Sequence, residues 1–337
     1  MSDAAAARSP AAPAAATPNR WIPALVFLAT LLVASVLLFV RVSTTTIELA
    51  GTFSGIGFVA TREQPLTRSL RVAALGAAGA KDVQLPEEVA SSASTTAMRV
   101  VVDDTAGALR AGSIVLDRIV VPAGAQVWLS RTDVPRQYRL SLRATPSASI
   151  DVHADVMGAV AFAPAGAART AVTLRAPRAI DFTSSDGTLD LDLTLAPGVP
   201  VPRWEQLVVR DLRVHRVEDE QGADRPLVRP VSTIQSGSLY FEALGGTERK
   251  LRAGEMLRFG AASGTFLTLD LRDDVIAATF QGEVRQMRSG SSDDPRSLMP
   301  TLLEWLRKRQ GLSLLWGTVL YLSGIGLTLR KWWRKPE

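Results

Sequence analysis

From about Val42 to Met287 apolar and polar residues alternate almost one for one, in runs such as MRVVVDD, SIVLDRIVV, YRLSLRA, IDVHADV, TLDLDLTL, LVVRDLRVHRV and TFLTLDL. Successive side chains of a β-strand point to opposite faces, so this alternation places one face on a core and the other in water. Turn residues punctuate the runs at short spacing, at Pro122–Gly124, Asp186-Gly187, Pro197-Gly198 and Gly245-Gly246. No long helical period interrupts the pattern. An antiparallel β-sandwich or jelly-roll-like domain is therefore expected over residues 42–290. The proline-containing stretch 202–230, with its charged run Glu218-Asp219-Glu220, is a candidate boundary between two β lobes.

Two uncharged runs flank this region, Ile22–Val40 and Gly311–Leu329. About 20 helical residues at 1.5 Å each cross a hydrocarbon core of about 30 Å. The sequence thus reads as a mainly β membrane protein with transmembrane helices at 21–41 and 311–329. Trp21, Trp305, Trp316, Trp332 and Trp333 lie in or beside the runs, as indole rings at the headgroup level would. Arg330, Lys331, Arg334 and Lys335 close the chain in a basic tail at 330–337. With Arg8 and Arg20 they make an inside set, which implies a bacterial cytoplasmic membrane protein with both termini cytoplasmic and the middle domain periplasmic. Residues 1–20, mostly Ala, Pro, Ser and Thr, read as a disordered tail. Residues 295–310 read as an amphipathic interfacial helix, since Leu298, Leu302, Trp305 and Leu306 share a helical face.

The chain contains no cysteine, which excludes disulfides, thiolate catalysis and cysteine-ligated metal centres. The net charge of +5 is concentrated beside the apolar runs, which points to membrane lipid and away from nucleic acid. In the second run Ser313, Gly317, Gly324 and Thr328 fall near one helical face, with Tyr321 beside them. Small residues let helix backbones approach closely, so this stripe is a packing surface for another helix, an integral-membrane partner or a second copy of the chain.

Residues able to carry chemistry are sparse. His153 and His215 each sit in an alternating segment, far apart and without ligand spacing, and read as strand histidines. Asp186, Asp190 and Asp192 cluster in DFTSSDGTLDLD, with Asp190 and Asp192 on one strand face. Hard cations need several converging oxygens, so these three form a weak calcium candidate. Asp103-Asp104 and Asp273-Asp274 read as strand-end turns. No Gly-x-Ser-x-Gly elbow or P-loop is present, and Gly51, Gly55 and Gly57 do not open a helix that would hold phosphate. The expectation is a non-enzymatic, doubly anchored envelope protein without cofactor, whose β domain serves as a binding or assembly module. The alternatives are a lipid- or glycan-binding transport component, an oligomeric channel subunit, and a membrane-tethered hydrolase.

Overall fold

The computed structural model describes residues 28, 32, 35–67, 69–89, 96–103, 112–166, 168–184, 186–220, 227–272, 274–290 and 295–308, then residues 313, 316, 317, 320, 321 and 324. The first strands are β1 (Thr45–Phe53), β2 (Gly55–Ala60), β3 (Gln64–Pro65), β4 (Leu70–Ala78), β5 (Asp82–Gln84), β6 (Ala97–Val102) and β7 (Ser113–Val121). Next come β8 (Gln126–Arg131), β9 (Gln137–Arg143), β10 (Ile150–Pro164), β11 (Thr170–Ser184), β12 (Thr188–Leu195) and β13 (Arg203–Arg213). The remainder are β14 (His215–Glu220), β15 (Leu227–Ser232), β16 (Ile234–Phe241), β17 (Thr247–Leu251), β18 (Leu257–Arg272), β19 (Val275–Ser289) and β20 (Arg296–Ser297).

The alternation seen in sequence is realised as expected for a half-buried strand. In β12, Leu189, Leu191 and Leu193 are fully buried while Asp190 and Asp192 face outward. In β9 the buried positions are Tyr138, Leu140 and Leu142, and Arg139 and Arg143 point away. Residues from both sides of 202–230 contribute to a common hydrophobic cluster. Within it Phe58, Phe266 and Phe280 stack edge to face, with ring centroids 5.3 and 5.6 Å apart, the arrangement aromatic quadrupoles favour.

Antiparallel pairing runs continuously through β17, β16, β1, β19, β18, β13, β2, β8, β9, β12 and β4. Beyond β4 one strand position is shared by two segments. Leu70–Val72 pairs with β7 and Ala74–Ala78 with β6. β10 takes the same two on its far side, and β11 and β5 follow. Because β5 continues directly from β4 through Gly79–Lys81, the sheet curls round there toward its own earlier strand. β14 and β15 form a separate hairpin, lying within or next to the sequence stretch proposed as a boundary.

The segments flanking the β region meet at one place. The Val42 amide donates to Pro300 O at 3.0 Å and the Leu302 amide to Val40 O at 2.8 Å. The Arg41 guanidinium adds bonds to Ser297 O at 3.0 Å and Met299 O at 2.7 Å. A short helix, α1 (Leu302–Lys308), starts here. The Glu304 carboxylate accepts from the Thr301 amide at 2.9 Å, and Thr301 Oγ1 accepts from the Glu304 amide at 3.3 Å. This is a reciprocal capping box, which satisfies two otherwise orphaned donors.

The expectation of N- and C-terminal transmembrane helices, and with it that of a bitopic inner-membrane protein with cytoplasmic termini and a periplasmic domain, is overturned. Among the described residues no helix is long and apolar enough to cross a membrane. An uncharged run satisfies the composition of a span, but crossing needs a continuous helix of about 20 residues. The longest unbroken described helical pieces are short: residues 35–39, ending where Val40 enters the backbone bonds to residue 302, and the seven residues of α1, which carry Glu304, Arg307 and Lys308. Most of 21–34 and 309–329, all of 1–20 and all of 330–337 lie outside the described residues.

Candidate functional site

The outward face of β2, β8, β9, β12, β4 and β6 gathers an aromatic ring, two ion pairs and a trough. Its order follows from register. Trp128 is opposite Gly57 on one side and Ser141 on the other; Ser141 is opposite Asp190, Asp190 opposite Ala78, and Ala78 opposite Ala97. One residue-pair along, Ser130, Arg139, Asp192, Gly76 and Arg99 form a parallel row. Alternation forces all of these outward, because their neighbours Val127, Leu129, Leu140, Leu191, Leu75, Ala77, Met98 and Val100 fill the core.

Trp128 lies across two glycines of β2. A Cβ built on Gly57 would stand 2.5 and 2.8 Å from two carbons of the six-membered ring, and one on Gly55 3.0 Å from a third. Gly57 leaves no room for a methyl group beneath the ring, and Gly55 leaves little. Glycine inside a strand commonly marks such a close approach, at a cost of about 0.5–1 kcal/mol relative to alanine. The ring covers β2, which is buried along its whole length, and Trp128 itself remains partly exposed.

Beside the ring stand two cross-strand ion pairs. Arg143 Nη2 reaches Asp190 Oδ2 at 2.9 Å. Arg139 binds Asp192 through two bonds, Nε to Oδ1 at 2.8 Å and Nη2 to Oδ2 at 3.2 Å. Burial works against the Asp190 charge, but the hydrogen bond from Arg143, the nearby Ser141 hydroxyl and the Arg143 charge outweigh it and hold the carboxyl below its ordinary range. Ser141 makes no hydrogen bond of normal geometry to Asp190 Oδ1, so that buried oxygen is without a full partner among the described residues. The hydrogen bond to Asp192, then its charge, raises the Arg139 pKa. Past these pairs the face drops into a trough of about 250 Å³, floored by Ala74, Gly76, Ala78 and Ala97 and walled by Asp190, Asp192, Thr194 and Arg99.

A larger cavity of about 490 Å³ lies between β3 and the start of β13. Two of its polar groups are committed to the fold. Gln64 exchanges both amide atoms with the Val208 backbone, and Arg203 is held by Asp270 at 2.9 Å.

Of the residues singled out in the sequence, Asp190 and Asp192 share a strand face as expected. The calcium trio does not converge, because Asp186 instead meets Lys81 at 3.5 Å and the other two face arginines. Among the described residues no group of three or more His, Asp or Glu could hold a metal ion. His153 Nδ1 pairs with Asp181 Oδ1 at 2.6 Å across β10 and β11. His215 is held below the ordinary imidazole pKa by burial and then by Arg258 and Arg213. Trp305 lies in α1; Trp316 and Tyr321 are exposed, and they and Ser313, Gly317 and Gly324 are each helical, with other residues between them lying outside the described ones. Trp21, Thr328, Arg330, Lys331, Trp332, Trp333, Arg334 and Lys335 lie outside the described residues.

Sequence reasoning missed Trp128, Arg139 and Arg143. The available signal was Gly-Ile-Gly at Gly55–Gly57, two glycines on one face of a strand, with an outward tryptophan in another strand to cover them. No protein-family model matches the chain, and neither a curated protein nor a solved structure matches it.

Proposed function

We propose that the chain is a non-catalytic binding module whose recognition surface is the outward face of β8, β9, β12, β4 and β6. The observation that carries this reading is the seating of Trp128. Two strand glycines let one indole ring pack closely on the backbone of β2 at an outer face, and the ring remains partly exposed there. Such a ring presents a large, rigid contact area with little conformational entropy to lose on binding. The acidic groups beside it favour binding over acid catalysis. A general acid at neutral pH needs a raised pKa, whereas Asp190 is held low by its arginine.

Thermal unfolding of the full chain against a panel of oligosaccharides, peptides, nucleotides and lipid headgroups tests the reading. A ligand that raises Tm for the native chain should fail to do so for Trp128→Ala and for Ala97→Arg, which fills the trough. Stabilisation insensitive to both substitutions, or none from any ligand class, would overturn it.

A second reading concerns assembly. Val36, Leu38, Phe39 and Val40 are 43–81% exposed, directly beside the Arg41–Thr301 bridge. Contiguous exposed apolar side chains of this kind mark contact surfaces, and association of two copies would cover them. Sedimentation of the full chain should then show a dimer that Leu38→Asp with Phe39→Asp dissociates; a monomeric native chain would refute this.

A further inference from the structure

We propose that the ligand of this face is anionic and seats a phosphate or sulfate group in the cleft between Trp128, Arg143 and Arg213; this rests on the binding-module reading above. The cleft is a cavity of about 80 Å³ lined by Gln126, Trp128, Ser141, Arg143 and Arg213, with Gly57 between Arg213 and the ring. Register explains why these side chains meet. Gly57 is opposite Arg213 on one side and Trp128 on the other, and Trp128 is opposite Ser141. One step along, Gln126 is opposite Val59 on one side and Arg143 on the other. The two arginines therefore rise from opposite banks, β13 and β9, with β2 and β8 between them.

Charge is the first argument. No aspartate or glutamate lines the cleft. Asp190 matches Arg143 at 2.9 Å, but the Arg213 guanidinium has no hydrogen bond or ion pair among the described residues. Asp211, exposed two residues earlier at the irregular register of β13, makes no ion pair with it. Arg258 adds to the same field: burial, then Arg258 and Arg213, hold the neighbouring His215 below its ordinary pKa. An anion entering here meets an uncompensated guanidinium in a partly enclosed cleft, where attraction exceeds that in open water. The trough differs. Its wall sets the two carboxylates of Asp190 and Asp192 against the one cation of Arg99, so a second anionic group gains nothing there. A ligand with one anionic group suits this face better than a polyanion.

Geometry is the second argument. Guanidinium N–H groups make short, charge-assisted bonds to oxyanions. A carboxylate has two oxygens in one plane, and a single arginine fork fills both. A phosphate or sulfate is tetrahedral and presents its oxygens in several directions, so donors on two banks can hold it at once. Arg213 supplies a whole fork. Arg143 keeps its bonds to Asp190 and to Leu142 O at 2.9 Å, which use only some of its five donors. Gln126 is exposed beside it. The Trp128 ring forms the remaining side and offers apolar surface to the carbon part of an ester.

Isothermal calorimetry on the full chain tests this with inorganic phosphate, inorganic sulfate, glucose phosphate, glucose sulfate and adenosine monophosphate. Glucose, adenosine and an oligothymidylate serve as comparators. At least one of the anions should bind with Kd at or below about 1 mM, and an uncharged parent about tenfold or more weakly. An ester that binds better than the bare ion supports the site and assigns the carbon part to Trp128. A bare ion that binds as well as any ester supports it and assigns the site to the free anion. Arg213→Gln should weaken the tightest anion about tenfold or more. Arg175→Gln, the same charge change at an exposed position of β11, should leave it within about twofold. Arg213 is exposed and its guanidinium makes no bond within the described fold, so the test stands even if Trp128→Ala unfolds. Equal loss in both arginine variants, no loss in Arg213→Gln, or tighter binding of the oligothymidylate than of every monomer would overturn the inference. Absence of anion binding would overturn it too. If another ligand is then sensitive to Trp128→Ala and Ala97→Arg, the binding surface stands; if none is, both readings fall.

Discussion

Gly57→Ala isolates the glycine bed from everything else in the fold. The new methyl would stand 2.5 and 2.8 Å from two Trp128 ring carbons, and the Arg213 Cβ is 3.5 Å away. To regain ordinary contact the ring must lift by about 1 Å, since carbon pairs are at their optimum near 3.5–4.0 Å. Overpacking of this kind costs about 1–3 kcal/mol. Set against it is a gain of about 0.5–1 kcal/mol from replacing glycine by alanine in an extended strand. The expected net loss is about 1–2 kcal/mol in the native background. In a Trp128→Ala background the clash is gone, so the same substitution should be neutral or slightly stabilising. The two effects together form a double-mutant cycle with a coupling of about 2 kcal/mol, well above the few tenths expected for independent sites. Urea unfolding followed by circular dichroism, with both transitions sharing one slope, measures it. An equal cost of Gly57→Ala in both backgrounds would show that Trp128 does not rest on this glycine.

Three further outcomes follow from the geometry. Glu255 accepts from Ser289 Oγ at 2.6 Å, Arg249 Nη2 at 2.8 Å and the Arg252 amide at 3.1 Å; burial opposes its charge but these donors hold its pKa below 4.5. Its contribution is therefore complete above the unfolded value and lost as pH falls through the lower folded value. The urea midpoint should drop on acidification below about pH 5, and Glu255→Gln should lower it at pH 7 while flattening that acid limb. Tyr138 is fully buried and its hydroxyl donates to Arg272 O, so Tyr138→Phe should cost about 0.5–1.5 kcal/mol by urea unfolding. Thr301→Ala removes the capping oxygen from α1 and should cost about 1 kcal/mol locally, read as faster amide exchange confined to α1.

The sequence made the β class plain, because period-two alternation is a local signal and each strand carries its own copy of it. Leu189, Leu191 and Leu193 alternate with Asp190 and Asp192 in five residues, and they are buried and exposed accordingly. What alternation lacks is partner identity. Nothing near Asp190 in the chain reveals that Arg143 lies across from it, forty-seven residues away, so the aspartates looked like one cation site and are in fact two ion pairs. Gly55 and Gly57 likewise gave no hint of Trp128, which reaches them only after β2 and β8 pair. The apolar runs misled for the opposite reason. Hydropathy reports what a segment excludes but not whether it continues as one helix, and the bridge between Arg41 and Thr301 begins the β region where the first run ends.

The most direct test follows the indole Nε1–H resonances by NMR as the ligand that most raises Tm is titrated in. The account predicts that the Trp128 indole signal moves in step with the Arg139 and Arg143 side chains, while the signal of Trp204, buried in β13, stays fixed. A saturable titration that leaves Trp128 unmoved, or that shifts Trp204 instead, would contradict it.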